Sequence, residues 1–372
     1  MADKQNHGIG GLKYDQSKTP WPPETGVFVA LVLITVVFEV LNRMHGTSFL
    51  FNTRAAVDAI FNKPRLDIII LQVSITGIIA LGATQVMVAG GIDLSAGSVV
   101  GATAMVAMSF AQTAMVNGHA NPKALFGPWA MDLPAMDPIL VGLGCGMLAG
   151  LINGVLIAYT RIPPFIATLG MMLSARGAAD WWSNGDPVSF PTQAYANLAN
   201  GDVLKYLTFG LLSWPGENPA VLFIVLAILL SLVMKYTVYG KRCYAIGSNE
   251  AAARMSGINV DRHKVLVYTI AGMLTAAATI MLTSKNLSAQ AGMGIMYELD
   301  AIAMAVIGGV SLNGGRGTIL GTVLGALIFS VIISGFTSIR LDAYYQEMVK
   351  GAIIVGAVVL DQWRQRRNAS RT

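Results

Sequence analysis

Two glycine-rich octets interrupt long apolar segments of this chain. Residues 90–97 read GGIDLSAG and residues 308–315 read GGVSLNGG. Each octet follows one apolar run and precedes another. Within a membrane, irregular backbone is tolerated only where it is buried in protein or lines a polar cavity, and paired interrupted helices point to a transport site. The pattern therefore predicts a membrane protein that moves a solute, with helix breaks at the matched glycines Gly90, Gly91, Gly97, Gly308, Gly309 and Gly315.

Composition supports a membrane location. Hydrophobic residues make up 54% of the chain and charged residues only 12%, whereas an ordinary soluble domain carries about 25% charged residues. Because one span needs roughly 20 apolar residues, we predict an all-α polytopic protein with about ten transmembrane helices and no large soluble domain. The apolar runs lie near residues 27–41, 66–89, 98–116, 139–159, 163–182, 219–236, 264–283, 299–312, 317–335 and 347–361.

Clusters of basic residues set the predicted orientation. The net charge is +5, and the loop 240–264 and the tail 362–372 hold much of the basic charge. Such clusters could bind nucleic acid, but the positive-inside rule explains them in a membrane protein, so we expect no nucleic-acid partner. The predicted organisation is a cytoplasmic segment 1–26, a transmembrane domain 27–361 that includes the cytoplasmic loop 240–264, and a basic cytoplasmic tail.

The remaining loops follow from this orientation. The first apolar run lacks a small-residue cleavage pattern, so we expect a retained span and not a signal peptide. Loops 42–65 and 183–218 then lie outside. Both glycine octets lie at the inner end of an inward-running span, which predicts a parallel and not an inverted internal repeat.

The sequence predicts no metal, cofactor or nucleotide site. Cys145 and Cys243 fall in separate segments, so no disulfide framework is implied, and the four histidines lack metal-ligand spacing. A phosphate-binding G-x-x-x-x-G-K-[ST] sequence is absent, and the nearest tract, GGVSLNGGRG, lacks the Lys-Ser/Thr pair. We therefore expect no enzymatic activity of the chain's own.

A short helix is predicted inside the basic loop. Ser248 or Asn249 suits the N-cap, Glu250 follows in the first turn where the helix dipole favours an anion, and three alanines continue it. Gly257 suits the residue after the helix end. Such a helix is either a solvated connector or a rigid element that docks onto a cytoplasmic partner.

Polar residues on apolar segments are candidates for a solute path. Asp93 either caps the helix that follows it or contacts a solute, and Ser311, at the matched position, is also a good cap. Ser95 and Asn313 are the better candidates for hydrogen bonds to a passing solute. Gln72 and Thr168 interrupt apolar runs, where helix–helix bonding is an equal alternative.

Several stretches resemble the ribose/xylose/galactose-type permeases of ABC importers, a binding-protein-dependent transport family. They are GGIDLSAGSVVG (90–101), RIPPFIATLGMMLSARG (161–177), NGDPV (184–188), YAIGSNEAAARMSGI (244–258) and IGGVSLNGGRGTILGTVLGALI (307–328). The resemblance spans residues 66 to 361 and implies a multi-pass subunit in the bacterial inner membrane. It would translocate a pentose, hexose or inositol-like polyol.

The resemblance also implies partners. These are a cytoplasmic ABC ATPase, a periplasmic sugar-binding protein, a second permease copy (the same chain or a sister chain) and membrane lipid. The short helix would be the coupling helix that contacts the ATPase, through Glu250, Ala251, Ala252, Arg254 and Gly257.

Two other transport classes are alternatives. An ion-coupled secondary transporter would use Asp93 and Asp300 as coupling carboxylates and would not need the cytoplasmic helix. A passive channel would work without ATP.

Overall fold

The computed structural model describes residues 24–52, 61–208, 214 and 216–369. Most of the described chain is helical, and its strands are two residues long. The helices are α1 (Glu24–Met44), α2 (Lys63–Val88), α3 (Ala96–Ala111), α4 (Met136–Tyr159), α5 (Pro164–Ser183), α6 (Gln193–Asn200), α7 (Val203–Leu207), α8 (Asn218–Tyr236), α9 (Val238–Ser248), α10 (Glu250–Met255), α11 (Val260–Asn286), α12 (Tyr297–Ile307), α13 (Ile319–Ser338) and α14 (Ala343–Ala369). The strands are β1 (Met115–Val116), β2 (His119–Ala120), β3 (Val188–Ser189) and β4 (Ser288–Ala289), and Pro128–Ala130 forms a 3-10 turn.

Six of the described helices are long and apolar enough to cross a membrane: α1, α2, α4, α8, α11 and α13. The chain is a multi-pass membrane protein. The other four predicted apolar runs fall on α3, α5, α12 and α14. Since α3 has 16 residues and α12 has 11, neither reaches the roughly 20 residues of a full span, and the count of ten spans stays a prediction.

Helix α2 lies at the centre of the molecule. It packs against α8, α11, α12 and α13, and most residues of its apolar stretch are buried. Its sequence is apolar on every face, which suits a helix surrounded by other helices. By contrast, α1 packs on α13 at the edge and leaves most of its apolar surface exposed, as expected of a helix that faces lipid.

Helices α4 and α11 make the most extensive helix pair, and a row of glycines on α4 permits it. A side chain at Gly146 would overlap the Gly272 carbonyl, and one at Gly150 would overlap that of Tyr268. At Gly154 a Cβ would lie 2.7 Å from the Cα of Val265. Small residues spaced four apart let two membrane helices approach closely, so the backbones are in direct contact here.

The segments that connect the helices lie at two opposite ends of the bundle. At one end, β3 pairs with β4, and Gln112 forms an isolated bridge with Pro191. The segment α9–α10 precedes α11, whereas β4 follows it, and α11 is about 40 Å long at 1.5 Å per residue. The loop predicted to be cytoplasmic therefore lies at the opposite end from the β3–β4 pair.

The loop predicted to be cytoplasmic contains more helix than the sequence suggested. Sequence analysis predicted one short helix, but residues 238–248 form α9 before α10 begins. Thr237 occupies the N-cap position of α9, but its hydroxyl donates to the Val233 carbonyl of α8 (2.7 Å) and makes no capping bond to α9. The predicted segment 1–26 lies almost entirely outside the described residues. Of the predicted tail, the backbone of residues 362–369 continues α14.

Candidate functional site

Two irregular segments connect the helices at the end of the bundle that carries α9 and α10. The first break, residues 89–95, links α2 to α3, and the second break, residues 308–318, links α12 to α13. Gly90 has a φ of +81° and Gly309 a φ of +90°. This left-handed region favours glycine because L-residues clash there. Each glycine follows a helix end and turns the chain out of it.

At this turn the residues that play the same structural role in the two breaks differ by one position from those that the sequence comparison pairs. The N–H of Gly91 donates to the Val86 carbonyl (2.9 Å), and the N–H of Val310 donates to that of Ala305 (3.0 Å). By backbone role, therefore, Gly90 matches Gly309 and not Gly308, with which the sequence pairs it. Farther along, Asp93 still corresponds to Ser311, as in the sequence comparison. The first break therefore has one residue more than the second between the glycine turn and this polar residue.

Asp93 shapes the backbone just before α3. Its Oδ1 accepts hydrogen bonds from the N–H (2.9 Å) and the hydroxyl (2.6 Å) of Ser95. In the second break the N–H of Asn313 donates to Ser311 Oγ at 3.3 Å. Both are local side-chain-to-backbone turns of the kind that Asp and Ser form readily. The Asp93 side chain thus makes a turn before the helix and does not reach the helix's own free N–H groups.

Asn153 of α4 completes this polar cluster, and sequence analysis missed it. Its Nδ2 donates to Ser95 Oγ at 2.9 Å. Asn153 is fully buried, and its Oδ1 has no hydrogen-bond partner. A buried, unsatisfied amide oxygen is uncommon in proteins. The signal in the sequence was an asparagine inside an apolar run, the same criterion that selected Gln72 and Thr168.

The other predicted path residues are dispersed. Asn313 lies exposed in the second break. Thr168 is buried one turn into α5, where its hydroxyl donates to the Pro164 carbonyl of its own helix (2.9 Å). Gln72 is half-buried on α2, about 24 Å before the end of that helix at 1.5 Å per residue. The structure thus brings Asp93 and Ser95 together and leaves Gln72 far from them.

The two breaks contact each other directly. The N–H of Gly315 donates to the carbonyl oxygen of Val88, the last residue of α2, at 2.9 Å. The end of α2 therefore lies beside the second break, and a Cβ placed at Gly314 would lie 3.0 Å from the Cα of Gly90 in the first break. The parallel sense of the repeat stays a prediction.

Helix α10 is short and well defined at both ends. Asn249 caps it, since its Oδ1 accepts the N–H of Ala252 at 3.0 Å. Gly257 follows its end with a φ of +82°, and the N–H of Ile258 returns to the Ala253 carbonyl (3.1 Å). This is the capping pattern that ends many helices. Of the two predicted N-cap candidates, the structure selects Asn249.

One face of α10 is anchored and the other is free. Ala253 is buried against Ile246 and Val260. The predicted coupling residues Ala251, Ala252, Arg254 and Gly257 are exposed. Met255 is 84% exposed and was missed, because a methionine beside apolar and basic neighbours gives no sequence signal of its own. Helix α10 therefore presents a small apolar surface to the solvent.

The predicted coupling residue Glu250 is engaged within the loop itself. Its carboxylate bonds to Lys264 (2.7 Å) and Arg254 (3.1 Å), and Arg254 also pairs with Asp261. Partial burial alone would raise the pKa of Glu250, but the hydrogen bonds and charges of Lys264 and Arg254 outweigh it and lower that pKa. The Glu250 side chain thus fastens α10 to α11.

The two carboxylates of the secondary-transport alternative are both engaged. Asp300 of α12 is buried, and its Oδ2 lies 3.2 Å from the Nζ of Lys350 on α14. The Oδ1 of Asp93 accepts two hydrogen bonds from Ser95. Among the described residues, no group of three or more His, Cys, Asp or Glu side chains could hold a metal ion.

Comparison with known proteins gives the family. A family profile described as "branched-chain amino acid transport system / permease component" matches residues 65–358. The ribose import permease protein RbsC of Bacillus subtilis is 37% identical over 341 residues, which cover 91% of this chain and 92% of that protein. RbsC of Escherichia coli K12 is 33% identical, covering 90% of this chain and 94% of that one. The galactose/methyl galactoside import permease MglC of the same strain is 38% identical, covering 81% and 87%.

These similarities extend over nearly the whole chain and favour a permease over an ion-coupled transporter. Permease subunits of this kind are not themselves the ATPase. The chain belongs to the branched-chain amino acid transport system / permease component family.

Proposed function

We propose that this chain is the permease subunit of a bacterial ABC importer that carries a monosaccharide or related polyol across the inner membrane. The observation that carries this proposal is the similarity to ribose and galactose import permeases along about nine-tenths of the chain. A pentose, a hexose or an inositol-like polyol fits the proposal equally.

A separate cytoplasmic ATPase would drive transport through α10. The exposed face of this helix, with Ala251, Ala252, Arg254 and Gly257, suits a groove on such a partner. Met255 adds an apolar contact of the kind that is enriched at interfaces. Glu250 would act indirectly, since its bonds to Lys264 and Arg254 hold the helix in place. A rigid, anchored helix can transmit force where a flexible loop cannot.

The solute would cross between two permease copies, either two of this chain or this chain and a sister chain. A periplasmic binding protein would deliver the sugar at the end where β3 pairs with β4. Asp93, Ser95 and Asn313 would border the path at its inner end. Large apolar side chains exposed on α1, α4 and α8 would contact lipid or the second copy. In this arrangement the chain crosses the membrane ten times, and its N-terminal segment and C-terminal tail both lie in the cytoplasm.

Reconstitution tests the proposal. The chain would be placed in liposomes with its partner ATPase and binding protein, and uptake of radiolabelled pentoses, hexoses and inositol would be measured. We expect uptake of one sugar. This uptake should require ATP, and it should stop when the binding protein is left out. Uptake driven by a proton or sodium gradient without ATP would instead identify a secondary transporter, and uptake independent of both would identify a channel.

A further inference from the structure

We propose that α9 is the element that links the coupling helix α10 to both glycine breaks, with Gly247 and Tyr244 as positioning residues for transport. This inference rests on the proposed function, because it concerns how a movement at α10 reaches the breaks. It assigns a role to a helix that the sequence did not predict and whose residues lie outside the docking face.

The contact around Gly247 joins three backbone segments. A side chain at Gly247 would overlap the carbonyl oxygen of Val88, and its Cβ would lie 2.6 Å from the nitrogen of Gly315. The same two atoms form the hydrogen bond between the end of α2 and the second break. Gly247 is helical, so glycine is needed here for space and not for an unusual φ. The end of α9 therefore touches the junction of the two breaks.

Two tyrosine hydroxyls fasten α9 to the same pair of elements. Tyr239 donates to Gln85 Oε1 on the last turn of α2 at 2.5 Å. One and a half turns later, Tyr244 donates to the carbonyl oxygen of Gly317 in the second break at 2.8 Å. Gln85 is fully buried, so the loss of its bond would leave another polar atom unsatisfied in the interior, which is costly.

The connection from α9 to α10 is a single residue. Asn249 ends α9 and caps α10, so little slack remains between the two helices. Helix α10 is in turn held to α11 by the ion pairs of Glu250. A displacement of α10 must therefore either move the end of α9 against Val88 and Gly315 or break these bonds.

The test is the number of sugar molecules imported per ATP hydrolysed, measured in liposomes that contain the full transporter. Tyr244→Phe removes one hydroxyl and keeps the ring, and Gly247→Ala inserts one carbon into the junction. Tyr236→Phe is the matched tyrosine control, because that ring is exposed at the end of α8. Gly144→Ala is the glycine control, because no atom lies within 4 Å of a Cβ placed there.

We expect Tyr244→Phe to leave ATP hydrolysis within about twofold of the unmodified protein and to lower sugar per ATP by about threefold or more, the size of effect expected when one hydrogen bond is lost. Gly247→Ala should lower the ratio further, and both controls should leave it unchanged. An unchanged ratio in Tyr244→Phe, or a parallel fall of hydrolysis and uptake in proportion to folded protein, overturns the inference. If the unmodified transporter imports sugar without ATP, the proposed function fails instead, and the two failures are distinguished.

Discussion

The amide of Asn153 donates a hydrogen bond to the hydroxyl of Ser95 across 2.9 Å and so ties the first break to α4. The same hydroxyl donates to Asp93 at 2.6 Å. Because Ser95 both accepts and donates, the three side chains form one directed chain of hydrogen bonds between α4 and the break. Asp93 ends this chain as an acceptor, and an acceptor of that kind does not need a negative charge.

The first prediction follows from that role of Asp93. Asp93→Asn keeps an acceptor oxygen and should retain folding and sugar uptake to within about twofold, whereas Asp93→Ala should destabilise the protein by about 1–2 kcal/mol through loss of both bonds to Ser95. Thermal unfolding in detergent and uptake in liposomes measure the two effects. Asp186→Asn, at an exposed position of the opposite end, is the control. Loss of uptake in a stable Asp93→Asn protein would show that the charge itself takes part in transport.

The second prediction concerns docking at α10. Ala252→Glu places a charge and a longer side chain on the exposed face, and burying an unpaired charge in an interface is costly. We expect sugar uptake to fall by at least about tenfold while the permease remains folded in the membrane. Ala194→Glu on the exposed side of α6, at the far end, serves as the control for the binding of the ATPase. Pull-down of the ATPase and uptake are measured together, and normal values of both would refute the docking assignment.

A third prediction separates the two reasons for glycine in the breaks. A Cβ at Gly91 would overlap the hydroxyl of Tyr268, whereas the space beside Gly309 is open and its φ of +90° is the constraint. Gly91→Ala should therefore be rescued in part by Tyr268→Phe, which removes the overlapping atom. Gly309→Ala should cost about 1–2 kcal/mol and should show no rescue by the same change.

Uptake normalised to detergent-stable permease is the measurement for this comparison. The larger Gly91→Val and Gly309→Val changes should each abolish uptake. Full transport by stable valine variants at both positions would remove the breaks from the mechanism. Equal rescue of both alanine variants by Tyr268→Phe would contradict the steric explanation for Gly91.

Features with a local cause could be predicted from the sequence. The cap at Asn249 and the stop at Gly257 depend on residues within one turn of α10, and the structure has both. Glycine in an apolar run was the signal for the breaks, and five of the six predicted glycines lie in residues 89–95 and 308–318, whereas Gly97 was wrongly predicted because it lies in the first turn of α3. The family could be identified for the same reason, since its motifs are short stretches of contiguous residues.

Features that depend on the meeting of distant segments could not be predicted. The contact of Gly315 with Val88 and the bond of Asn153 to Ser95 join residues far apart in the chain. Thr237 makes no capping bond to α9, and Tyr239 and Tyr244 hold this helix through tertiary contacts. The engagement of Glu250 by Lys264 likewise required the three-dimensional arrangement, and the direct contact of Glu250 with a partner stays a prediction.

A fourth prediction concerns pH at the end of the bundle where β3 pairs with β4. The pKa of Glu217 is raised to about 7, chiefly by burial; the charge of Lys285 opposes this rise, that of Asp67 adds to it, and that of Lys63 opposes it. Because the folded state holds this proton more tightly than the unfolded chain, the contribution of Glu217 to stability is present at low pH. It is lost as the pH rises from about 4.5 to about 7.

Thermal unfolding in detergent at pH 5 and pH 8 checks this expectation. The unmodified protein should unfold at a lower temperature at pH 8, and Glu217→Gln should reduce that difference because the neutral amide resembles the protonated carboxyl. Glu24→Gln, at the opposite end of the bundle, should leave the difference unchanged. A pH difference that persists undiminished in Glu217→Gln would assign the effect to another group.

The last prediction tests the orientation of the protein in the membrane. Ser256→Cys beside α10 should be cytoplasmic, and Asp186→Cys, close to β3, should be periplasmic; both positions are exposed. Only Cys145 must be replaced in the background, because Cys243 is fully buried and burial raises its pKa to about 12, so it stays an unreactive thiol. An impermeant thiol reagent added to spheroplasts with intact inner membranes should label Asp186→Cys and not Ser256→Cys, and it should label both after the membrane is permeabilised. Labelling of Ser256→Cys in the intact spheroplasts would reverse the orientation and, with it, the assignment of α10 as the contact for a cytoplasmic ATPase.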